Sequence, residues 1–144
     1  AICFLTNKGT ESTYKTSSVM NKASDNVYAI NWRLEMINVI AMKIDRKRFG
    51  VKNLYLFGTT FLGTAGSNSD IDILVHFDGN EEQRNELQLW FDGWNLALSE
   101  INFQNSGYRV EKFIDAYIVT DKDIAEKEYY AHLIDEKANA SKKL

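Results

Sequence analysis

The stretch LFGTTFLGTAGSNSDIDILVHF, residues 56 to 77, decides how the rest of the chain is read. It opens as an apolar run, breaks at Gly58, and passes through small and polar residues with glycines at 63 and 66. Asp70 and Asp72 then stand where a second apolar run begins. Residues two apart in a strand point to the same side, roughly 6.5 to 7 Å apart. Asp70 and Asp72 therefore share one face, and Ile71, Ile73, Val75 and Phe77 share the other. If helices cover the apolar face, the carboxylates stand on the open one. A solvated strand entry explains such a pair, and so does a metal site in which carboxylates bridge two divalent cations about 3.5 to 4 Å apart.

Working outward, VKNLYLFG (51 to 58) is short, aromatic and branched and stops at glycine, so it reads as a buried strand, as does IDILVHF (71 to 77). FLGTAGSNS between them holds at most a turn or so of helix. Upstream, Val27, Ile30, Leu34, Ile37, Ala41 and Ile44 recur at helical spacing, with Asp25 or Asn26 as cap and Gly50 as stop. Lys43, Arg46, Lys47 and Arg48 suit the negative end of the helix dipole better than a phosphate-binding patch. Downstream, DGN (78 to 80) is a turn and EEQRNELQLWFDGWNLALSEI an amphipathic helix, followed by NFQNSG as a loop. YRVEKFIDAYIVT (108 to 120) alternates as a long strand, with Val110, Ile114, Ala116 and Ile118 on one face and Arg109, Glu111, Phe113, Asp115 and Tyr117 on the other. Thr120 with Asp123 then starts a helix through IAEKEYYAHLIDEKA. The order α, β, short α, β, α, β, α predicts an α/β (α+β) sheet with helices packed on it.

A chain of 144 residues fits one domain and can bury a core without disulfide or metal. Residues 6 to 25 are rich in Thr, Ser, Asn and Lys without an apolar period, so residues 1–25 are expected to be a flexible polar leader or linker and 26–144 the domain. The single cysteine, Cys3, forms no intramolecular disulfide, and no apolar run approaches the roughly 18 residues of a membrane span. The expected setting is the cytoplasm. A net charge of −3 disfavours nonspecific nucleic-acid binding, so an anionic substrate needs local cations, most simply metal ions. The chain opens on Ala1 and is expected to be a fragment or domain of something longer.

The loop after the first strand has a use that matches the aspartates. Glycine at 58 lets a phosphate approach the backbone, the Thr59 hydroxyl can donate to it, and a following helical turn adds a positive dipole end. Neither GxxxxGK[ST] nor GxGxxG occurs, which excludes a P-loop and a dinucleotide fingerprint. Asp115 completes a three-carboxylate cluster if its strand pairs beside 71 to 77, with Glu111 on the same face as the fallback. His76 shares the aspartate face and is read as partly buried and hydrogen-bonded rather than as a cleft residue. His132 reads as a helix-surface residue, and Trp32, Trp90 and Trp94 as core packing rather than base-stacking platforms.

Taken together, FGVKNLYLFGTTFLGTAGSNSDIDILVHF resembles the nucleotidyltransferase superfamily that includes DNA polymerase β, most closely its minimal MNT-like domains. That pattern is a strand ending in Gly-Ser, a few residues, a Gly, then Ser-Asp-x-Asp entering the next strand. Gly58, Gly63, Ser69, Asp70 and Asp72 fall in register, Thr59 replaces the family serine, and Ile114-Asp115 resembles the place of the third carboxylate. The resemblance covers about residues 30 to 120. It implies a small mixed β-sheet with helices on one face and an acidic cleft on the other. It implies transfer of a nucleoside monophosphate, AMP above all, from ATP or another NTP to an acceptor hydroxyl with release of pyrophosphate. Asp70, Asp72 and Asp115 would be catalytic and hold two Mg²⁺ ions, while Gly58, Thr59 and Ser69 would bind the nucleotide. The acceptor, whether small molecule, protein or RNA, is open, and a partner chain or flanking domain is expected to supply part of its binding wall. The alternative is a catalytically silent nucleotide-binding or antitoxin-type interaction module of the same fold.

Overall fold

The structure, a computed structural model, describes residues 18–134 and 139–144, with side chains from Ser24 onward. Helix α1, Ser18–Lys43, begins ahead of the expected cap, so Asp25 and Asn26 lie inside it. Residues 18–25, expected in the leader, are helical because SVMNKASD contains no glycine or proline, and extending a formed helix adds one hydrogen bond per residue fixed. The rest of that leader, residues 1–17, lies outside the described residues.

The buried face of α1 is rotated from the expected one. Ala29, Arg33, Ile37 and Ile40 point inward, joined by Ile44 just beyond the helix, while Val27 is exposed and Leu34 and Ala41 flank the core. An apolar template passes over Arg33, yet its guanidinium is satisfied by oxygens that fold onto it. Helix α2, Arg46–Phe49, is capped by Asp45 and stopped by Gly50 in the left-handed conformation. In the basic cluster, Arg46 donates to the Leu144 and Lys52 carbonyls and Arg48 pairs with Glu86, so both serve structure.

Strand β1, Val51–Phe57, leads through helix α3, Gly58–Leu62, and a loop to strand β2, Ile71–Phe77, which pairs antiparallel with it. Asn80 and Gln83 form a reciprocal capping box that opens helix α4, Glu81–Ser106. The segment NFQNS, expected as a loop, continues this helix, which ends at Gly107 in the left-handed conformation, its N–H donating to the Phe103 carbonyl. Asn102 is polar but fully partnered, its amide donating to the Ser67 and Tyr108 carbonyls at 2.9 and 3.0 Å.

Strand β3, Ile114–Val119, pairs parallel with β2, with Ile71 opposite Ile114 and Asp72 opposite Asp115. It is shorter than the expected 108–120 because β2 starts at Ile71, whose N–H reaches back only as far as the Phe113 carbonyl. Phe113, expected beside Asp115 on the polar face, is instead buried edge-on against Trp32, ring centroids 5.1 Å apart. The three tryptophans pack half-buried against the core, as expected. Leu54, Leu56, Ile71, Ile73 and Val75 fill it from the sheet side. Each such side chain contributes about 1.5 to 3 kcal/mol over its exposed state.

The last expected helix, of which residues 135–138 lie outside the described residues, is divided over the part described. A Thr120–Asp123 capping box starts helix α5, Asp121–Ala125, but Lys127 at φ 53° breaks it before a 3₁₀ segment, Tyr129–Ile134. The break lets Tyr130, Ala131 and Leu133 fold against Tyr55, Leu74 and Val119 on the second face of the sheet, where burial of apolar surface repays the strained turn. Strand β4, Lys142–Lys143, which no periodicity signals, pairs antiparallel with β1, giving the sheet order β3-β2-β1-β4. The C-terminal segment thus packs on the second face against Tyr55, Leu74 and Val119, with the three aspartates half-buried at one end of that face.

Candidate active site

Asp70 stands one residue before β2, Asp72 is its second residue, and Asp115 is the second residue of β3. Parallel pairing sets Asp72 beside Asp115, and the turn into β2 brings Asp70 to the same corner. One carboxylate oxygen from each lies within 4.8 Å of the other two, and all three residues are half-buried. Glu111, the fallback, is exposed, precedes β3 and is not in this group.

Their environments differ. Burial, then the nearby charges of Asp70 and Asp115, pushes the Asp72 carboxyl up to about 6. Burial pushes Asp115 up as well, but hydrogen bonds from Lys112 and from the Tyr117 hydroxyl (2.7 Å) outweigh it and leave this carboxyl below its ordinary range. Tyr117 is raised in turn by its bond to Asp115 and by burial, and its ring lies 4.4 Å from that of Tyr130. Asp70 has no hydrogen bond or ion pair of its own among the described residues. Three hard oxygen donors of like charge, which repel one another without a cation between them, fit a divalent ion such as Mg²⁺.

Gly58 adjoins this corner at φ 72°. A Cβ there would lie 2.2 Å from Asp72 Oδ2, so only glycine lets the aspartate pack against the turn. Thr59 is exposed and Thr60 buried, so of the two hydroxyl-bearing residues Thr59 faces solvent. Ser69 shapes the loop: its hydroxyl accepts from the Gly66 N–H at 2.9 Å and its N–H donates to the Gly66 carbonyl at 3.1 Å. His76 is on the aspartate face but near the other end of β2, bonded at 2.7 Å to Asp121 of α5. His132 is exposed on the 3₁₀ segment.

Arg33 and Lys112 were not singled out from the sequence, although both touch the site's support. The available signal for Arg33 was a lone cation within the i, i+4 series 29, 33, 37. Lys112 offered only its place three residues before Asp115.

Comparison with known proteins adds a family. No curated protein matches the chain. A crystal structure from Sulfolobus solfataricus, described as a nucleotidyltransferase, is 15% identical and aligns over 73% of this chain and 78% of its own with a TM-score of 0.32. The family model for the nucleotidyltransferase domain matches residues 41–138, a span that holds Gly58, all three aspartates and every described strand but β4. The chain therefore belongs to the nucleotidyltransferase domain family.

Proposed function

We propose that this domain catalyses metal-dependent nucleotidyl transfer, moving AMP from ATP to an acceptor hydroxyl. The observation that carries this reading is the convergence of Asp70, Asp72 and Asp115 within 4.8 Å beside the Gly58 turn. The three carboxylates would hold Mg²⁺, two ions in the full site, and Gly58, Thr59 and Ser69 would receive the triphosphate. The chemistry such ions supply is stabilisation of charge on the attacking and leaving oxygens. In the transfer the acceptor oxygen bonds to the α-phosphorus, the bond from that phosphorus to the bridging oxygen breaks, and pyrophosphate leaves. Asp115, held in its charged form by Lys112 and Tyr117, would accept the hydroxyl proton. The exposed threonine hydroxyl at 59 is available to a phosphate oxygen. A cytoplasmic, nucleotide-rich setting fits a chain in which no described helix is long and apolar enough to cross a membrane. The acceptor would be a small molecule, a protein or an RNA end, bound with help from a partner chain or flanking domain.

One observation favours a second reading, a silent nucleotide-binding or antitoxin-type module: Lys112 already neutralises Asp115. The two separate in one assay. With Mg²⁺ and α-labelled ATP, the active reading expects AMP transfer to an acceptor in a panel of hydroxyl compounds, proteins and RNA ends, lost in the Asp70→Asn, Asp72→Asn double variant. Equal ATP binding by both proteins with no transfer to any acceptor favours the silent module.

A further inference from the structure

Arg33 is 1% exposed in the middle of the buried face of α1. Its Nε and Nη2 donate to the Ser69 carbonyl at 3.1 and 2.7 Å. Nη2 also donates to the Ser67 carbonyl at 3.3 Å and to Asn102 Oδ1 at 3.2 Å, and Nη1 to the Ala29 carbonyl at 3.2 Å. The Phe113 and Trp32 rings flank the guanidinium, with centroids 4.9 and 5.8 Å away. Every acceptor is a neutral oxygen. Burying a cation on neutral partners is costly, and a hydrophobic residue of similar volume would commonly stabilise such a position better. Burial lowers the guanidinium to about 10, against the opposing attraction of Asp70. What Arg33 contributes in return is a two-pronged hold on the backbone next to Asp70.

That hold falls on the carboxylate that needs it. Asp72 packs against Gly58, and Asp115 is bonded by Lys112 and Tyr117. Asp70, with no side-chain partner, can be placed only through its backbone, and that backbone is gripped on both sides: the Ser69 carbonyl by Arg33, and the Ile71 N–H by the Phe113 carbonyl at 2.7 Å. Asn102 locks the grip, because its oxygen receives Arg33 Nη2 while its amide donates to the same Ser67 carbonyl and to Tyr108.

We propose that Arg33, braced by Asn102, is a positioning residue that fixes the Ser67–Ser69 backbone and so aims Asp70 at a cation shared with Asp72 and Asp115. This rests on the metal-site reading above. The test measures Mn²⁺ binding alone, by electron paramagnetic resonance of the free ion, together with amide exchange at Ser69 and Ile71 and thermal unfolding. Arg33→Met keeps length and loses the fork; its Mn²⁺ affinity should fall about tenfold or more, as for other groups that orient metal ligands, with faster exchange at both amides. Arg33→Lys keeps the charge without the fork and should recover only part of the affinity. Unchanged affinity in folded Arg33→Met overturns the proposal, and so does full recovery by lysine, which would leave charge alone as the cause. If Arg33→Met does not fold, Asn102→Leu is read in its place: a several-fold loss of Mn²⁺ affinity supports the brace, and an unchanged value overturns it. A wild-type protein that binds no Mn²⁺ sinks the metal-site reading and the aiming role together, whereas the backbone clamp by itself stands or falls on the exchange rates.

Discussion

Asp72 carries the most pH-sensitive consequence at the scale of single residues. Its carboxyl sits at about 6 in the folded chain, against an unfolded value of about 3.9. Between those values the folded chain keeps a proton that the unfolded chain has released, so this group's contribution to stability falls as pH rises from about 4 to 6. The loss, discounted for partial exposure, is on the order of 1 kcal/mol and persists at higher pH. Asp72→Asn should therefore raise the Tm by roughly 3 °C at pH 7.5 and leave it unchanged near pH 4, while abolishing divalent-metal binding. A lower Tm at pH 7.5 would show that Asp72 is stabilised in the metal-free protein and not repelled. Residue-level legibility was uneven. The spacing of Asp70 and Asp72 was visible because strand geometry has a period of two, and Asp115 because it falls on the polar face of an alternating strand. Arg33 was hidden because its burial depends on carbonyls of residues 67 and 69, which no local pattern brings to it.

At the scale of elements, β3 is an edge strand whose outer side is held by a helix side chain. Asn95 of α4 donates to the Ile114 carbonyl at 3.2 Å and accepts from its N–H at 2.6 Å, standing in for a neighbouring strand. Asn95→Ala leaves both backbone groups of Ile114 without that partner and should cost about 1 to 3 kcal/mol, measured by urea unfolding. Faster amide exchange at Ile114 should accompany it; a stability unchanged within error would mean that water replaces the amide. Element existence followed from pattern: β1, β2, α4 and the Thr120 helix start all lie where period and caps place them. Element ends did not. β3 is cut to the length of its partner, α4 runs on until Gly107, and the last helix breaks at Lys127 so that its apolar residues reach the second face.

For the whole molecule, a cation bound only by the folded state adds RT ln(1 + [M]/Kd) to stability. Mg²⁺ or Mn²⁺ at a hundred times its Kd should therefore raise unfolding free energy by about 2.7 kcal/mol at pH 7.5. The gain should shrink as pH falls through 6, because Asp72 must lose its proton to act as a ligand. Calorimetric scans with and without metal check this, with the Asp70→Asn, Asp72→Asn protein as control. A metal-induced shift of equal size in that variant would place the cation elsewhere.

The chain's own pattern determined the family and the two aspartates at the entry to β2, because strand period, glycine punctuation and the Ser-Asp-x-Asp spacing act within some twenty residues. Tertiary structure alone decided that Asp115 stands beside Asp72, through the parallel register of β2 and β3 across the α4 crossover. It alone decided that Lys112 and Tyr117 engage Asp115, and that Arg33 reaches the loop ahead of Asp70 from α1. The physical reason is range. Periodicity and capping are set by neighbours a few residues away, whereas the placing of a charge in a corner of the sheet depends on hydrogen bonds between segments that only folding brings together.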